Sequence, residues 1–331
     1  MLMILLIVSE VSRVAADDKV SPITVGLSES KGFATFTNQL HPGNRIGYRF
    51  HEHTPMVSGE APATASAAGI DPEVGSSSRS TAAERELDPT ESSFAQRPGV
   101  LKHSLTIGNA DWVPQRWTFY LAPVADGIEM LWVVDTFDAG LNQYYAVQQC
   151  FRMGGKSNQE WRRTIAETPA FSEFDLWDST ETRGCNPLSE KDASVKTSLS
   201  YVLRNGTWTP LPAARETVGA RTPSGLIFDR ERAGGRIDSM QEVGPYHARM
   251  LEPIDNGLIA RIDKDKTWVC GIYWQRTSHV TGHHPADCLH SIVNIGDVPP
   301  HSKRAIRGKI YWFKGSLQDL AEHWKQDFPS E

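Results

Sequence analysis

The chain has 331 residues, with 34 Lys and Arg against 40 Asp and Glu, and a formal net charge of -6. That mild acidity argues against a nucleic-acid binder working by phosphate attraction, and the length suffices to bury a core without disulfide staples. Ten Trp, twenty Pro and twenty-six Gly in a 39% hydrophobic chain favour a turn-rich β protein over a helical bundle.

Leu2 to Val8 are apolar, and Ala15-Ala16 precede the polar Asp17-Asp18, a pattern that predicts a short signal peptide over residues 1–16 and a secreted or periplasmic protein. The n-region carries no Lys or Arg, so a buried first strand is the competing reading. No stretch reaches the roughly 18 uninterrupted apolar residues of a membrane span, so none is expected. Residues 17–55 and 100–331 are expected to form one β-sandwich domain. Between them, residues 56–99 are built from Ala, Ser, Thr, Glu and Pro with almost no large apolar side chain, which predicts a low-complexity insertion unable to order itself.

At the end of the strand that includes Tyr48 and Phe50 comes His51-Glu52-His53, where two imidazoles two residues apart on a strand could reach one ligand or metal. Arg116 to Pro123 and Ile128 to Thr136 read as strands around a tight turn at Asp126-Gly127, and Ile128, Met130, Trp132 and Val134 alternate as a half-buried strand should. Next, Tyr145, Val147 and Phe151 define one face of a strand whose opposite face carries Tyr144, Gln148 and Arg152. Aromatic rings beside amide and guanidinium groups suit sugars, whose C–H faces stack and whose hydroxyls hydrogen-bond, although a solvated strand face has the same composition.

Ser157 and Glu160 have capping-box spacing, predicting a helix that ends before Pro169. Ala248 to Glu252 and Leu258 to Asp263 flank Asn256-Gly257 as a second hairpin would. The wording of the two hairpins is similar, which is either an internal repeat or shared turn chemistry, the latter being favoured. Lys264-Asp265-Lys266 turn the chain into a strand from Trp268 to Trp274, and a last strand runs from Ala305 to Phe313. After Ser316 a second helix, with Asp319 in capping-box position, aligns Leu317, Leu320, Ala321 and Trp324 on one face and should pack across a sheet. The fold class is mainly β: a large antiparallel β-sandwich, up to a supersandwich in extent, with two short peripheral helices.

Cys150, Cys185, Cys270 and Cys288 are widely scattered, without a Cys-x-x-Cys pair, so a zinc ribbon is not expected and any disulfide pairing is open. Cys270, in phase with Trp268, Ile272 and Trp274, reads as a small buried hydrophobe. His279, His283, His284 and His290 crowd the stretch after Trp274, where Gly282 and Pro285 favour a loop. Loop imidazoles with Asp287 nearby can bind a divalent metal or act as a base near neutral pH. Among the carboxylates embedded in ordered stretches are Glu129, Asp135, Asp138, Glu216, Glu242 and Asp287, but a glycosidase pair is not identifiable from spacing. Tyr246-His247 adds a further acid/base pair of low specificity. No Gly-x-Ser-x-Gly elbow, Walker loop or dinucleotide fingerprint is present.

The stretch through Cys288-Leu289-His290-Ser291, Gly296-Asp297-Val298-Pro299-Pro300 and Arg307-Gly308-Lys309-Ile310-Tyr311 resembles the final strands of secreted bacterial galactose-mutarotase-like β-sandwich proteins, over about 60 residues. The resemblance implies a sugar or uronide lying across one concave sheet, worked on by His, Tyr, Arg and carboxylate groups; the family's His and Glu acid/base pair has no assignable positions here. Three readings follow. One is an exported carbohydrate-active enzyme, a polysaccharide lyase ahead of a glycoside hydrolase or epimerase. Its candidate catalytic residues are His283, His284, Arg276 and Tyr145, and its candidate sugar contacts are Tyr144, Gln148, Arg152, Trp274 and His290. The second is a noncatalytic sugar-binding or cell-surface structural protein. The third is a mononuclear metalloenzyme with ligands among His51, His53, His279, His283, His284 and Asp287.

Overall fold

The computed structural model describes residues 21–28, 33–50, 89–109, 112–141, 146–153, 166–172, 200–210, 237–244, 247–283 and 288–329. In chain order the strands are β1 (Ile23–Leu27), β2 (Phe33–Asn38), β3 (Arg45–Arg49), β4 (Leu101–Asn109), β5 (Trp112–Val124), β6 (Gly127–Thr136), β7 (Ala146–Arg152), β8 (Ser200–Arg204) and β9 (Thr207–Pro210). They continue with β10 (Ile237–Gly244), β11 (His247–Ile254), β12 (Ile259–Ile262), β13 (Trp268–Trp274), β14 (Thr277–His283), β15 (Cys288–Asn294) and β16 (Lys303–Lys314). Helix α1 (Pro89–Ala95) precedes β4 and helix α2 (Leu317–Asp327) follows β16.

The strands form two eight-stranded sheets, the first in the order β1-β2-β3-β7-β15-β14-β10-β11 and the second β4-β5-β6-β16-β13-β12-β8-β9. The described residues are therefore mainly β, as composition and alternation predicted, with two short helices, of which the one after Ser316 was expected and α1 was not. All pairings between these strands are antiparallel except β10 with β14, which run parallel.

Alternation along each strand sends one set of side chains between the sheets. Tyr48 and Phe50 from the first sheet and Phe119, Trp132 and Trp274 from the second share one buried cluster. Phe119 and Trp132 stack with centroids 5.3 Å apart, while Trp117 meets Trp132 edge-on at 4.9 Å. Offset and edge-on pairs of this kind add to the stabilisation from area burial alone. Cys270 is buried in the same cluster, as its phase predicted, and burial pushes its thiol pKa up.

The second sheet's outer face is covered by both helices. Ser316 and Asp319 form the capping box, and α2 lays Leu320 and Trp324 on Leu258, Ala260, Val269, Tyr273 and Tyr311. Helix α1 buries Phe94 against Tyr120, Leu131 and Val133, and its Glu91 accepts from the Tyr120 hydroxyl at 2.8 Å. Thus the end of the stretch expected as an insertion is a packed helix, anchored by one aromatic residue; residues 56–88 lie outside the described ones, as do the expected signal peptide and the helix expected from Ser157 up to residue 165.

Two turns differ from expectation. Val124 pairs with Gly127, so Ala125 and Asp126 make the β5–β6 turn and Gly127 begins the next strand. Gly127 is required there by close approach, since a Cβ would lie 1.9 Å from the Ile310 carbonyl oxygen. Asn256-Gly257 does not close a hairpin: β11 belongs to the first sheet and β12 to the second, so the dipeptide sits at a corner between sheets. The two similarly worded stretches are consequently not structural repeats. Lys264 to Lys266 do turn β12 into β13, with Asp263 accepting from the Thr267 and Trp268 amides at 2.7 and 3.0 Å.

Candidate functional site

With helices on the second sheet's outer face, the candidate site lies on the outer face of the first. Along β7, Val147 and Phe151 point into the core, which sends Gln148, Cys150 and Arg152 outward. Along β15, Leu289 and Val293 point inward and Cys288, His290 and Ile292 outward. The β7–β15 register puts Cys150 directly opposite His290, Arg152 opposite Cys288 and Gln148 opposite Ile292. On the other side of β7, Arg49 of β3 lies opposite Cys150.

This face is not a solvated strand surface. Cys150, Cys288 and His290 are fully buried, Gln148 is 1% exposed and Arg152 6%. The side chains converge: the Gln148 amide nitrogen lies 3.1 Å from His290 Nδ1, and the sulfurs of Cys150 and Cys288 and a ring nitrogen of His290 all lie within 4.8 Å of one another. Among the described residues, this is where three potential metal ligands gather. Beside them, the Arg49 and Arg152 guanidinium groups lie 5.5 and 5.6 Å from the centroid of the Phe33 ring, so that one aromatic ring carries two cationic neighbours.

The inward-facing Gln149 accepts from the Tyr48 hydroxyl, and burial keeps Tyr48 protonated by raising its pKa well above the usual value. That bond ties β7 to β3 beneath the site. Further along the sheet, the ladders place His283 opposite Cys288 and Thr281 opposite His290. The parallel β10 places Glu242 beside His283 and Asp238 beside His279. One row of register positions therefore reads Glu242, His283, Cys288, Arg152 across four strands.

Of the residues singled out in the sequence, Gln148, Arg152 and His290 come together here. The stretch expected as a loop after Trp274 is instead strand β14 through His283, with Gly282 paired opposite Leu289. Trp274 is not on this face: its indole is fully buried between the sheets, 6.1 Å from Trp132. Arg276 is exposed in the turn before β14, at φ 62°, with its Nε donating to the Asn294 carbonyl at 2.7 Å. Its guanidinium is only partly shielded from water, yet that shielding and the neighbouring Arg304 lower its pKa. Seven residues of strand separate it from His283, about 23 Å at the usual rise, so the two cannot act on one atom; Arg152 shares the row of His283 instead. His51, His53, Tyr144, Tyr145, His284 and Asp287 lie outside the described residues, as do the side chains of His279 and His283.

Glu129 and Asp135 belong to the second sheet, where Glu129 pairs with Arg97 and Asp135 lies 3.8 Å from Lys303. Sequence reasoning missed Cys150, Cys288, Arg49 and Phe33. The readable signal was Cys288-x-His290, two ligand types at the spacing that puts both on one side of a strand.

No protein-family model matches the sequence, and no curated protein does. Among solved structures, a protein from Escherichia coli K12 provisionally named an aldose 1-epimerase aligns with 65% of this chain and 66% of its own length, at 8% identity and a TM-score of 0.32. The alignment thus spans just under two thirds of that protein, and a likeness of this degree carries no argument about function.

Proposed function

We propose that this chain is an exported protein that binds an acidic carbohydrate on the outer face of its first sheet and cleaves it by lyase chemistry. The observation that carries the reading is that Arg49 and Arg152 both lie against Phe33, on the same sheet face as Gln148. A uronide offers a carboxylate, which a guanidinium binds by charge-assisted and often bidentate hydrogen bonds, and hydroxyls, which an amide can both donate to and accept from.

In β-elimination a base removes the C5 proton, the C4–C5 double bond forms, and the C4–oxygen bond breaks as the leaving oxygen takes up a proton. Negative charge develops on the carboxylate during proton removal, so the arginines favour the transition state over the bound substrate. His283, next to Cys288 and in the row of Arg152 by register, is the proposed base, with His284 as its neighbour in sequence. The leaving oxygen takes up its proton from the protonated base or from water.

The test is incubation of the full chain with acidic and neutral polysaccharides, following the ultraviolet absorbance of the unsaturated product. Turnover of an acidic polymer that is lost in the double variant His283→Ala, His284→Ala supports the reading. Turnover unchanged in that variant overturns the proton-transfer assignment. Saturable binding with no product from any polymer assigns the face to recognition alone.

A further inference from the structure

We infer that Cys150, Cys288 and His290 form a zinc-binding site in the first sheet. The inference does not depend on the ligand being a carbohydrate. It starts from convergence: two sulfurs and one imidazole nitrogen from adjacent strands lie within 4.8 Å of one another, with all three residues fully buried. Tetrahedral zinc with two thiolates and one imidazole holds its ligand atoms about 3.5–3.8 Å apart, given the usual Zn–S and Zn–N bond lengths. Small side-chain rotations close that gap without moving the ladder that sets the three positions.

A second observation points the same way. Each cysteine has an arginine directly opposite it in a neighbouring strand, Arg49 for Cys150 and Arg152 for Cys288. Directly opposed residues have Cβ atoms roughly 5 Å apart, and a cationic neighbour favours the thiolate that a metal requires. Zn(II) with two thiolates is electrically neutral, so the centre can be buried at far lower cost than two bare thiolates.

Gln148 completes the geometry. It engages His290 Nδ1 at 3.1 Å, which orients the ring and leaves ligation to Nε2. Its own buried Oε1 makes no hydrogen bond. Turning the amide over satisfies that oxygen with the Nδ1–H of the metal-ligating tautomer, the arrangement that outer ligands of a metal-bound histidine commonly adopt. Three protein ligands leave the fourth tetrahedral position to water or a bound oxygen.

The test uses the full chain, purified under reducing conditions and titrated with Zn(II), or with Co(II) as a spectroscopic stand-in. The site predicts one metal per chain and a thiolate-to-cobalt charge-transfer band that is lost in Cys150→Ser and in Cys288→Ser. Gln148→Leu should weaken Zn(II) binding by about 10–100-fold without changing the stoichiometry. Should the serine variants not fold, the wild-type protein still decides: Zn(II) must protect the Cys150 and Cys288 peptides from alkylation while leaving Cys185 unaffected. Absence of the band in fully reduced wild-type protein overturns the inference, as does a band that survives either serine substitution, alkylation indifferent to Zn(II), or a Cys150–Cys288 disulfide whose reduction yields no metal binding.

Discussion

Lys309 is only 4% exposed, and its ammonium lies 2.9 Å from the carboxylate of Asp126 across the β6–β16 edge. The same ammonium meets Asp327 of α2 at 2.8 Å, and His323 approaches Asp126 at 2.6 Å, so one network fastens the C-terminal helix to the β5–β6 turn. Burial alone would raise the Asp126 carboxyl, but Lys309 and His323 outweigh it and hold its pKa below the ordinary value. A carboxylate depressed in the folded state contributes stability above its unfolded pKa and loses it as pH falls through the folded one. The thermal unfolding midpoint should therefore fall on going from about pH 5 toward pH 2, and Asp126→Asn should flatten that acid limb while costing about 2 kcal/mol at neutral pH.

Removing the cation is expected to cost more. Lys309→Met leaves Asp126 and Asp327 without the charge between them, and Tyr311, whose hydroxyl donates to Asp327 at 2.9 Å and whose pKa is raised by burial and that carboxylate, offers no replacement charge. Chemical denaturation should show a loss of about 3–5 kcal/mol, the scale found when one partner of a buried ion pair is removed.

At the start of β6, Gly127→Ala places a methyl group into the Ile310 carbonyl, at a distance no relaxation of a flexible side chain can relieve. Backbone of β16 must move instead. A destabilisation of at least about 2 kcal/mol is expected by calorimetry, whereas Gly206→Ala, with nothing near its Cβ but a φ of 72°, should cost only about 1 kcal/mol.

The Trp132 ring contacts Trp117 edge-on and Phe119 face-on in the centre of the core. Trp132→Ala should cost about 3–5 kcal/mol and quench much of the aromatic near-ultraviolet circular dichroism, while Trp132→Phe should recover most of the stability.

What could be read from the sequence was local. Helix α2 was legible because its cap, Ser316 with Asp319, and its buried stripe, Leu320 with Trp324, all fall within nine residues. The Lys264–Lys266 turn was legible for the same reason, Asp263 capping its own turn. Asn256-Gly257 was misread because turn chemistry reports that the chain bends, not which sheet the next strand joins; that choice is set by the pairing of β12 with β8 and β13. The site shows the limit most clearly. Gln148 and His290 are 142 residues apart in sequence and touch only because β7 and β15 pair in one particular register. A scattered set of cysteines became a cluster through that register alone, while Trp274, chemically suited to stacking on a sugar, was claimed by the core because its strand phase points between the sheets.

The proposed function depends on recognition of an acidic sugar by the first sheet's outer face through Arg152. Calorimetric titration of an oligouronate, and of a neutral oligosaccharide of equal length, into the wild-type chain and into Arg152→Gln tests it most directly, with circular dichroism to establish that the variant is folded. Expected are saturable binding of the oligouronate to wild type, a weakening of about 10–100-fold in the variant from loss of a charge-assisted hydrogen bond, and little binding of the neutral sugar. Equal affinity for the acidic and neutral sugars, or an oligouronate affinity unchanged in a folded Arg152→Gln, would contradict it.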